Sequence, residues 1–288
     1  MSKLGLIAGG GGLPLEIARS CVAAERPFFI IRVKGFADAA LAEFPGVEAG
    51  LAELGKAIKA LKAEHCQTVC FAGQVNRPDF TALKPDLRGM AAVPGAIAAA
   101  RRGDDGLLRF IMGEFEREGF TVAGVDQVVQ SLTLPLGQLG RHGLTEAAQL
   151  DVETAMRAAR ALGSLDIGQA AVSARGLVLA VEAAEGTAAM LARCAELPPA
   201  LRGTAKAPAG VLAKAPKPFQ DRRVDLPTIG AETVVAAHRA GLAGIVGEAG
   251  ALLVVDRAAV IEMADALGLF VVGLRAEPVP PRPSQPEP

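Results

Sequence analysis

Residues 4–14 read LGLIAGGGGLP, and this stretch decides the predicted fold of the first half of the chain. The apolar run LGLIA predicts a short buried strand, the four glycines a turn, and the spacing of apolar residues over Leu13–Glu25 a helix. Further strands are predicted at 28–33 (FFIIRV) and 68–73 (TVCFAG), with a helix at 51–64 between them. Because strands alternate with helices, we expect a parallel sheet with crossover helices, a doubly wound, Rossmann-like unit.

The second half also predicts an α/β domain, although its topology cannot be derived from the pattern. Strand candidates lie at 176–184, 250–256 and 267–274, and helix candidates at 151–162 and 231–240. Glycine, proline and polar residues without clear periodicity mark a junction between the halves. We therefore expect the following organisation: a Rossmann-like domain over 1–135, a linker over 136–147, a C-terminal catalytic α/β domain over 148–276 and a disordered, proline-rich tail over 277–288.

Composition excludes several classes of protein. The net charge is −1 and both Trp and Tyr are absent, so the chain lacks the basic excess and the stacking side chains of nucleic-acid-binding proteins, and we expect no nucleic-acid partner. The four cysteines (21, 66, 70 and 194) and three histidines fit neither a disulfide framework nor a zinc site, and they predict buried, reduced thiols. With neither a signal peptide nor a run of about 20 apolar residues, we expect a cytoplasmic protein.

The glycine turn allows three interpretations. It could be a tight turn only, a contact for phosphate or sugar through Gly10, Gly11, Gly12 and Leu13 at a helix N-terminus, or an NAD(P) site. The third interpretation is disfavoured because the third glycine of the dinucleotide fingerprint is replaced by Pro14 or Leu15, depending on the register. No acidic residue ends the second strand either. We therefore expect no NAD.

Two further segments of the first half are candidates for ligand contacts. Gln74 and Asn76 follow the third predicted strand, where ligands of open α/β sheets bind, so they could face the same crevice as the glycine turn. The alternative is an ordinary polar loop. Asp104 and Asp105 could bind a metal or sugar hydroxyls. The alternative is that they start a helix.

Two segments of the second half carry charge in unusual arrangements. Glu182 and Glu185 follow an apolar strand and could form an arm of a Mg²⁺ site, or they could be solvated loop charges. In GVLAKAPKPFQDRRVDLPTIG (210–230), lysines and arginines alternate with aspartates among three prolines. This pattern has no helical or strand period, so it predicts a rigid loop for polyphosphate and Mg²⁺; the alternative is a surface loop with compensating ion pairs.

The same segments resemble a known family. Three strings of the second half carry the resemblance: DIGQAAVSARGLVLAVEAAEGTAAM (166–190), GVLAKAPKPFQDRRVDLPTIGAETV (210–234) and GIVGEAG (244–250). They are similar to the LpxI-type UDP-2,3-diacylglucosamine pyrophosphatases. IAGGGGLP, GQVNRPDF and GDDGLLR fit the same family in order. The resemblance covers nearly the whole chain except the tail.

The resemblance implies Mg²⁺-dependent hydrolysis of UDP-2,3-diacylglucosamine to UMP and 2,3-diacylglucosamine 1-phosphate (lipid X), a step of lipid A biosynthesis. It also implies a Rossmann-like N-terminal domain, a C-terminal α/β domain particular to the family and a homodimer. Mn²⁺ could replace Mg²⁺, and peripheral contact with the inner membrane is possible.

The resemblance and the charge pattern together give the candidate site residues. Asp225 is the expected essential acid, with Asp221, Arg222 and Lys214 beside it; the metal ligands are expected among Asp225, Glu182 and Glu185. The expected substrate contacts are Gly10, Gly11, Gly12, Leu13, Gln74, Asn76, Asp104, Asp105, Gln169, Thr187, Gln220 and Thr228. The competing hypothesis from another class is a non-catalytic sensor or carrier of a nucleotide-sugar or lipid phosphate. A Rossmann oxidoreductase is a third, and the broken glycine spacing argues against it.

Overall fold

The computed structural model describes residues 2–75, 82–101, 103–217, 221, 223 and 226–276, with only the backbone of residues 104 and 105. The chain forms two compact units. The first contains the residues up to Leu132 together with Asp221, Arg223 and Leu226, and the second begins at Thr133 and contains the other described residues. The predicted tail, 277–288, lies outside the described residues.

The first unit is built on a parallel sheet. Its elements are β1 (Leu4–Ala8), α1 (Leu13–Ala23), β2 (Phe28–Val33), β3 (Gly46–Ala49), α2 (Leu54–Ala63), β4 (Thr68–Ala72), α3 (Leu87–Ala100), α4 (Asp104–Arg117), β5 (Thr121–Val122) and α5 (Val125–Val128). Among the described residues the sheet has five strands in the order β3-β2-β1-β4-β5, and each neighbouring pair is parallel. This order matches the first five positions of the doubly wound order 3-2-1-4-5-6, and the predicted Rossmann-like fold class is confirmed.

The second unit has a mixed sheet. Its elements are β6 (Gly137–Leu139), α6 (Gln149–Ser164), β7 (Ala170–Ala174), β8 (Leu177–Val181), α7 (Gly186–Glu196), β9 (Val211–Lys214), β10 (Thr228–Ile229), α8 (Ala231–Arg239), β11 (Gly244–Glu248), β12 (Leu253–Val254), α9 (Arg257–Leu267) and β13 (Phe270–Leu274). In the described part the main sheet has the order β6-β13-β11-β9-β7-β8, and β10 pairs with β12 separately. The strands β13, β11 and β9 are parallel, while β6, β7 and β8 run antiparallel to their neighbours.

Burial explains why these segments form strands. The residues of β7, β9 and β11 are buried throughout, as expected for strands covered on both faces. One face packs against α6, and the opposite face packs against α7, α8 and α9. The four cysteines are free and buried, as predicted, and burial raises the pKa of the Cys70 thiol to about 12.

Several sequence interpretations need correction. The expected rigid loop over 210–230 is wrong at both ends, because Val211–Lys214 form β9 within the second sheet and Thr228–Ile229 form β10. The strand candidate at 250–256 is reduced to β12, and the central strand of that region is β11, which the pattern did not predict. Residues 136–147 contain an edge strand, β6, of the second sheet.

Among the described residues, no helix combines the length and apolarity that a membrane span requires.

Candidate functional site

The glycine turn joins the ends of two neighbouring strands in the first unit. The N–H of Gly10 donates to the carbonyl of Gln74 at 2.8 Å, and the N–H of Gln74 donates back at 2.9 Å. Gly11 has a φ of +83°, which favours glycine, and a Cβ at Gly9 would lie 2.7 Å from the carbonyl oxygen of Gln74. The backbone geometry therefore explains why residues 9 and 11 are glycines, without reference to a ligand.

The same turn leads into the start of α1. Gly12 caps this helix and Leu13 begins it, and both Gly11 and Gly12 are exposed. The first amides of a helix have no partner within the helix, so this turn presents donors at the carboxyl end of the sheet. Gln74 is exposed beside it, as expected from its position after β4. Contact with a phosphate or sugar stays a prediction.

Asp104 and Asp105 occupy the first turn of α4. The residue that caps this helix is Gly103, with a φ of +106°, and not an aspartate. The binding role of the two aspartates stays a prediction. Four other candidates lie outside the described residues: Asn76, Gln220, Arg222 and Asp225.

Asp221 is paired with an arginine in the first unit. Its carboxylate accepts from Arg223 Nε at 2.9 Å and Nη2 at 2.6 Å, and Arg223 Nη1 lies 2.7 Å from Glu116 Oε1. The hydrogen bonds from Arg223 hold the pKa of Asp221 below its usual range. The two acids likewise raise the pKa of the Arg223 guanidinium. Asp221 is thus a fixed anion rather than a ready proton acceptor.

Five predicted residues of the second unit meet in one hydrogen-bonded cluster. Lys214 Nζ donates to Thr187 Oγ1 at 2.9 Å and to the carbonyl oxygen of Thr228 at 3.0 Å. Thr187 Oγ1 donates to Glu182 Oε1 at 2.6 Å, and Glu182 Oε2 accepts from the N–H of Gln169 at 3.1 Å. We call these residues, Lys214, Thr187, Thr228, Glu182 and Gln169, the lysine cluster.

The fold explains why these residues meet. Lys214 ends β9, Thr187 lies in the first turn of α7, and Glu182 follows β8 directly. Lys214 is only 4% exposed and Glu182 only 6%, so both charges depend on their partners in the cluster. The side-chain oxygen Oε1 of Gln169 is buried and has no hydrogen-bond partner among the residues that the structure describes, which marks a polar atom open to a ligand or to water.

Glu185 does not join this cluster. Its carboxylate lies 2.5 Å from Arg193 Nη2 on α7. A hydrogen bond from its own backbone N–H, and secondly the hydrogen bond from Arg193, hold the pKa of Glu185 below its usual range. The charges of 210–217 also have partners, since Lys217 Nζ lies 2.7 Å from Asp166 Oδ1.

The described residues do not by themselves form a Mg²⁺ site. Nowhere among them do three or more side chains of His, Cys, Asp or Glu gather as metal ligands. Both carboxylate oxygens of Glu182 already accept hydrogen bonds. One of the donors, the hydroxyl of Thr187, also accepts a hydrogen bond from the ammonium of Lys214. Asp225, the third expected ligand, lies outside the described residues, so the metal prediction stays a prediction and no step is derived through a metal.

Sequence reasoning missed a buried ion pair in the second unit. Arg160 of α6 lies 3.0 Å from Glu248, which ends β11 and is 5% exposed. Glu248 therefore lies at the carboxyl end of the strand next to Lys214. The signal was present in GIVGEAG, a buried apolar run that ends in a carboxylate.

Comparisons with known proteins add the family. Residues 3–132 match the LpxI N-terminal domain, and residues 135–272 match the LpxI C-terminal domain. The chain belongs to the LpxI family. An LpxI relative from Caulobacter vibrioides, named UDP-2,3-diacylglucosamine pyrophosphatase, is 58% identical over 274 residues, which cover 95% of this chain and 98% of the relative.

One solved structure aligns with nearly the whole length of this chain, but its structural similarity to the chain is low. It is CobK precorrin-6A reductase, with 13% identity and a TM-score of 0.32 over 98% of this chain and 91% of the reductase. A similarity of this size supports no conclusion about fold or activity.

Proposed function

We propose that this protein hydrolyses the pyrophosphate bond of UDP-2,3-diacylglucosamine to UMP and 2,3-diacylglucosamine 1-phosphate in lipid A biosynthesis. The observation that carries the proposal is the 58% identity, over nearly both full lengths, to an LpxI relative named for this activity. At this identity and coverage, the substrate class of the relative is the best candidate for this chain.

The lysine cluster supplies a suitable group for this chemistry. A pyrophosphate carries negative charge, and a buried, hydrogen-bonded ammonium such as that of Lys214 stabilises charge that develops on its oxygens. In the reaction, a bond forms between the water oxygen and phosphorus while the bridging P–O bond breaks. The water proton needs an acceptor, and the leaving phosphate takes the bond electrons.

Asp225 is the better of the two candidate acceptors. Asp221 is paired with Arg223 and has a lowered pKa, so it is a weak base and suits a positioning role. Asp225 is the acid that the family resemblance names. We further propose that Mg²⁺, or Mn²⁺ in its place, assists the reaction, with Asp225 and Glu182 or Glu185 as ligands; its chemistry would be charge neutralisation and water activation. A cytoplasmic homodimer that contacts the inner membrane peripherally completes this proposal.

The test is product analysis with purified protein. The protein is first treated with a chelator and then given UDP-2,3-diacylglucosamine in mixed micelles, with Mg²⁺, with Mn²⁺ or without metal. We expect equimolar UMP and lipid X by mass spectrometry, and only with metal. Turnover that persists without metal contradicts the metal proposal alone. Tight binding of uncleaved substrate under every condition would instead support the carrier hypothesis.

A further inference from the structure

The first unit contains an apolar cavity that the function proposed above does not yet use. Its volume is about 290 Å³, and of the 23 described residues that line it only Glu53 and Glu114 are charged.

Both charges at the cavity wall have partners of their own. Glu53 Oε2 accepts from the N–H of Gly50 at 2.7 Å, and Glu114 Oε1 lies 2.5 Å from Arg117 Nη2. Neither carboxylate therefore needs a ligand. The remaining lining residues contribute carbon, so the cavity favours an apolar occupant.

The position of the cavity relates it to the glycine turn. Ile7, Val33 and Phe71 line it from β1, β2 and β4, each at or next to the carboxyl end of its strand. Ligands of open α/β sheets bind at this end. Val75 also lines the cavity while 42% exposed, and it follows Gln74, which pairs with the glycine turn. The cavity wall thus reaches the surface beside the expected sugar or phosphate contact.

Small residues on α3 create this space. Ala92 and Ala96 lie four residues apart on one face of the helix, and both line the cavity. At Gly89 the helix approaches Ala52 so closely that a Cβ would lie 1.8 Å from its carbonyl oxygen. Helix α3 therefore lies close to Ala52 at Gly89, and the small side chains of Ala92 and Ala96 farther along the helix leave the cavity unfilled.

We infer that this cavity binds one acyl chain of the diacylated substrate; the inference rests on the proposed function. An apolar cavity of about 150 Å³ holds one benzene molecule, so about 290 Å³ suits a saturated chain of roughly a dozen carbons. Each methylene that moves from water into such a cavity strengthens binding about fourfold. The acyl chain is anchored here, while the polar groups of the sugar lie beside the glycine turn.

The experiment fills the cavity and uses a matched control. Ala96→Leu and, as a second filling variant, Ala92→Leu add three carbons each inside the cavity. Ala98→Leu makes the same change on the exposed face of α3. Steady-state kinetics are measured with a long-chain UDP-diacylglucosamine and with a short-chain analogue, and calorimetry measures binding of dodecanoate to each protein without turnover.

We expect each filling variant to lose at least about tenfold in kcat/KM for the long-chain substrate and in dodecanoate affinity, since it excludes two or more methylenes. The short-chain substrate and Ala98→Leu should behave like wild type. Equal loss with both substrates, or equal behaviour of Ala96→Leu and Ala98→Leu, overturns the inference. If wild type releases no UMP, the proposed function fails, while dodecanoate binding still decides whether the cavity takes an alkyl chain.

Discussion

Lys214 and Glu182 are joined by one hydroxyl group, that of Thr187, which accepts from the ammonium at 2.9 Å and donates to the carboxylate at 2.6 Å. Both charged groups are almost fully buried. A threonine at the start of α7 therefore connects a cation at the end of β9 with an anion that follows β8. The hydroxyl fixes the position of the ammonium, and its removal should affect stability and turnover together.

Replacement of Thr187 by valine tests this connection. The variant keeps the shape but removes the hydroxyl, which leaves two buried charged groups each without one partner. We expect the free energy of unfolding to fall by about 1–3 kcal/mol. We also expect kcat to fall by about ten- to a hundredfold, because the ammonium loses its fixed position. Urea unfolding and steady-state kinetics measure both effects, and Thr187→Ser, which keeps the hydroxyl, should restore most of each.

Lys214→Met tests the charge itself. If the ammonium stabilises developing negative charge on the pyrophosphate, kcat/KM should fall about a hundredfold or more. Lys206→Met, at an exposed position of the same unit, is the control and should retain activity. Lys214→Arg should rescue poorly because a planar guanidinium does not fit the site of a compact ammonium. Near-normal kinetics of Lys214→Met would remove this residue from the active site.

The sequence predicted the first unit better than the second, for a physical reason. Strand β1, the glycine turn and α1 follow one another along the chain, so local pattern contains the whole motif. Strand β9 has only four residues and is followed by two prolines and a lysine, and its neighbours β7 and β11 are distant in sequence. The local pattern of apolar residues cannot show that β9 pairs with these two distant strands.

The site and the cavity show the same limit. The lysine cluster was predicted residue by residue, but its hydrogen bonds depend on how β8, β9 and α7 pack. Asp221 belongs with the first unit, through Arg223 and Glu116, although the chain before residue 220 and after residue 226 belongs to the second. The cavity depends on alanines of α3 that also fit an ordinary helix.

Asp225→Asn tests the expected essential acid. An asparagine keeps the size of the side chain but accepts no proton at neutral pH, so turnover should fall about a hundredfold or more while the substrate still binds. Mass spectrometry of ligand that copurifies should find lipid X with wild type and uncleaved UDP-2,3-diacylglucosamine with the variant. Lipid X with both proteins would assign the essential role to another residue.

The pairing of Asp221 with Arg223 predicts a specific dependence of stability on pH. The folded-state pKa of Asp221 is lowered, chiefly by hydrogen bonds from Arg223, relative to an unfolded value of about 3.9. A lowered folded-state pKa means that the stabilisation is fully present above the unfolded value and is lost as the pH falls through the folded value. Wild type should therefore be more stable than Asp221→Asn at pH 6.

This difference should shrink as the pH falls below about 4 and disappear once Asp221 is protonated in both states. Urea unfolding of both proteins at a series of pH values from neutral to acid measures it. Glu43→Gln, which changes an exposed carboxylate of the same unit, serves as the control and should show a much smaller trend. A stability difference that stays constant across the acid range would mean that the charge of Asp221 contributes nothing through Arg223. In that case, the loss in the variant would come from packing alone.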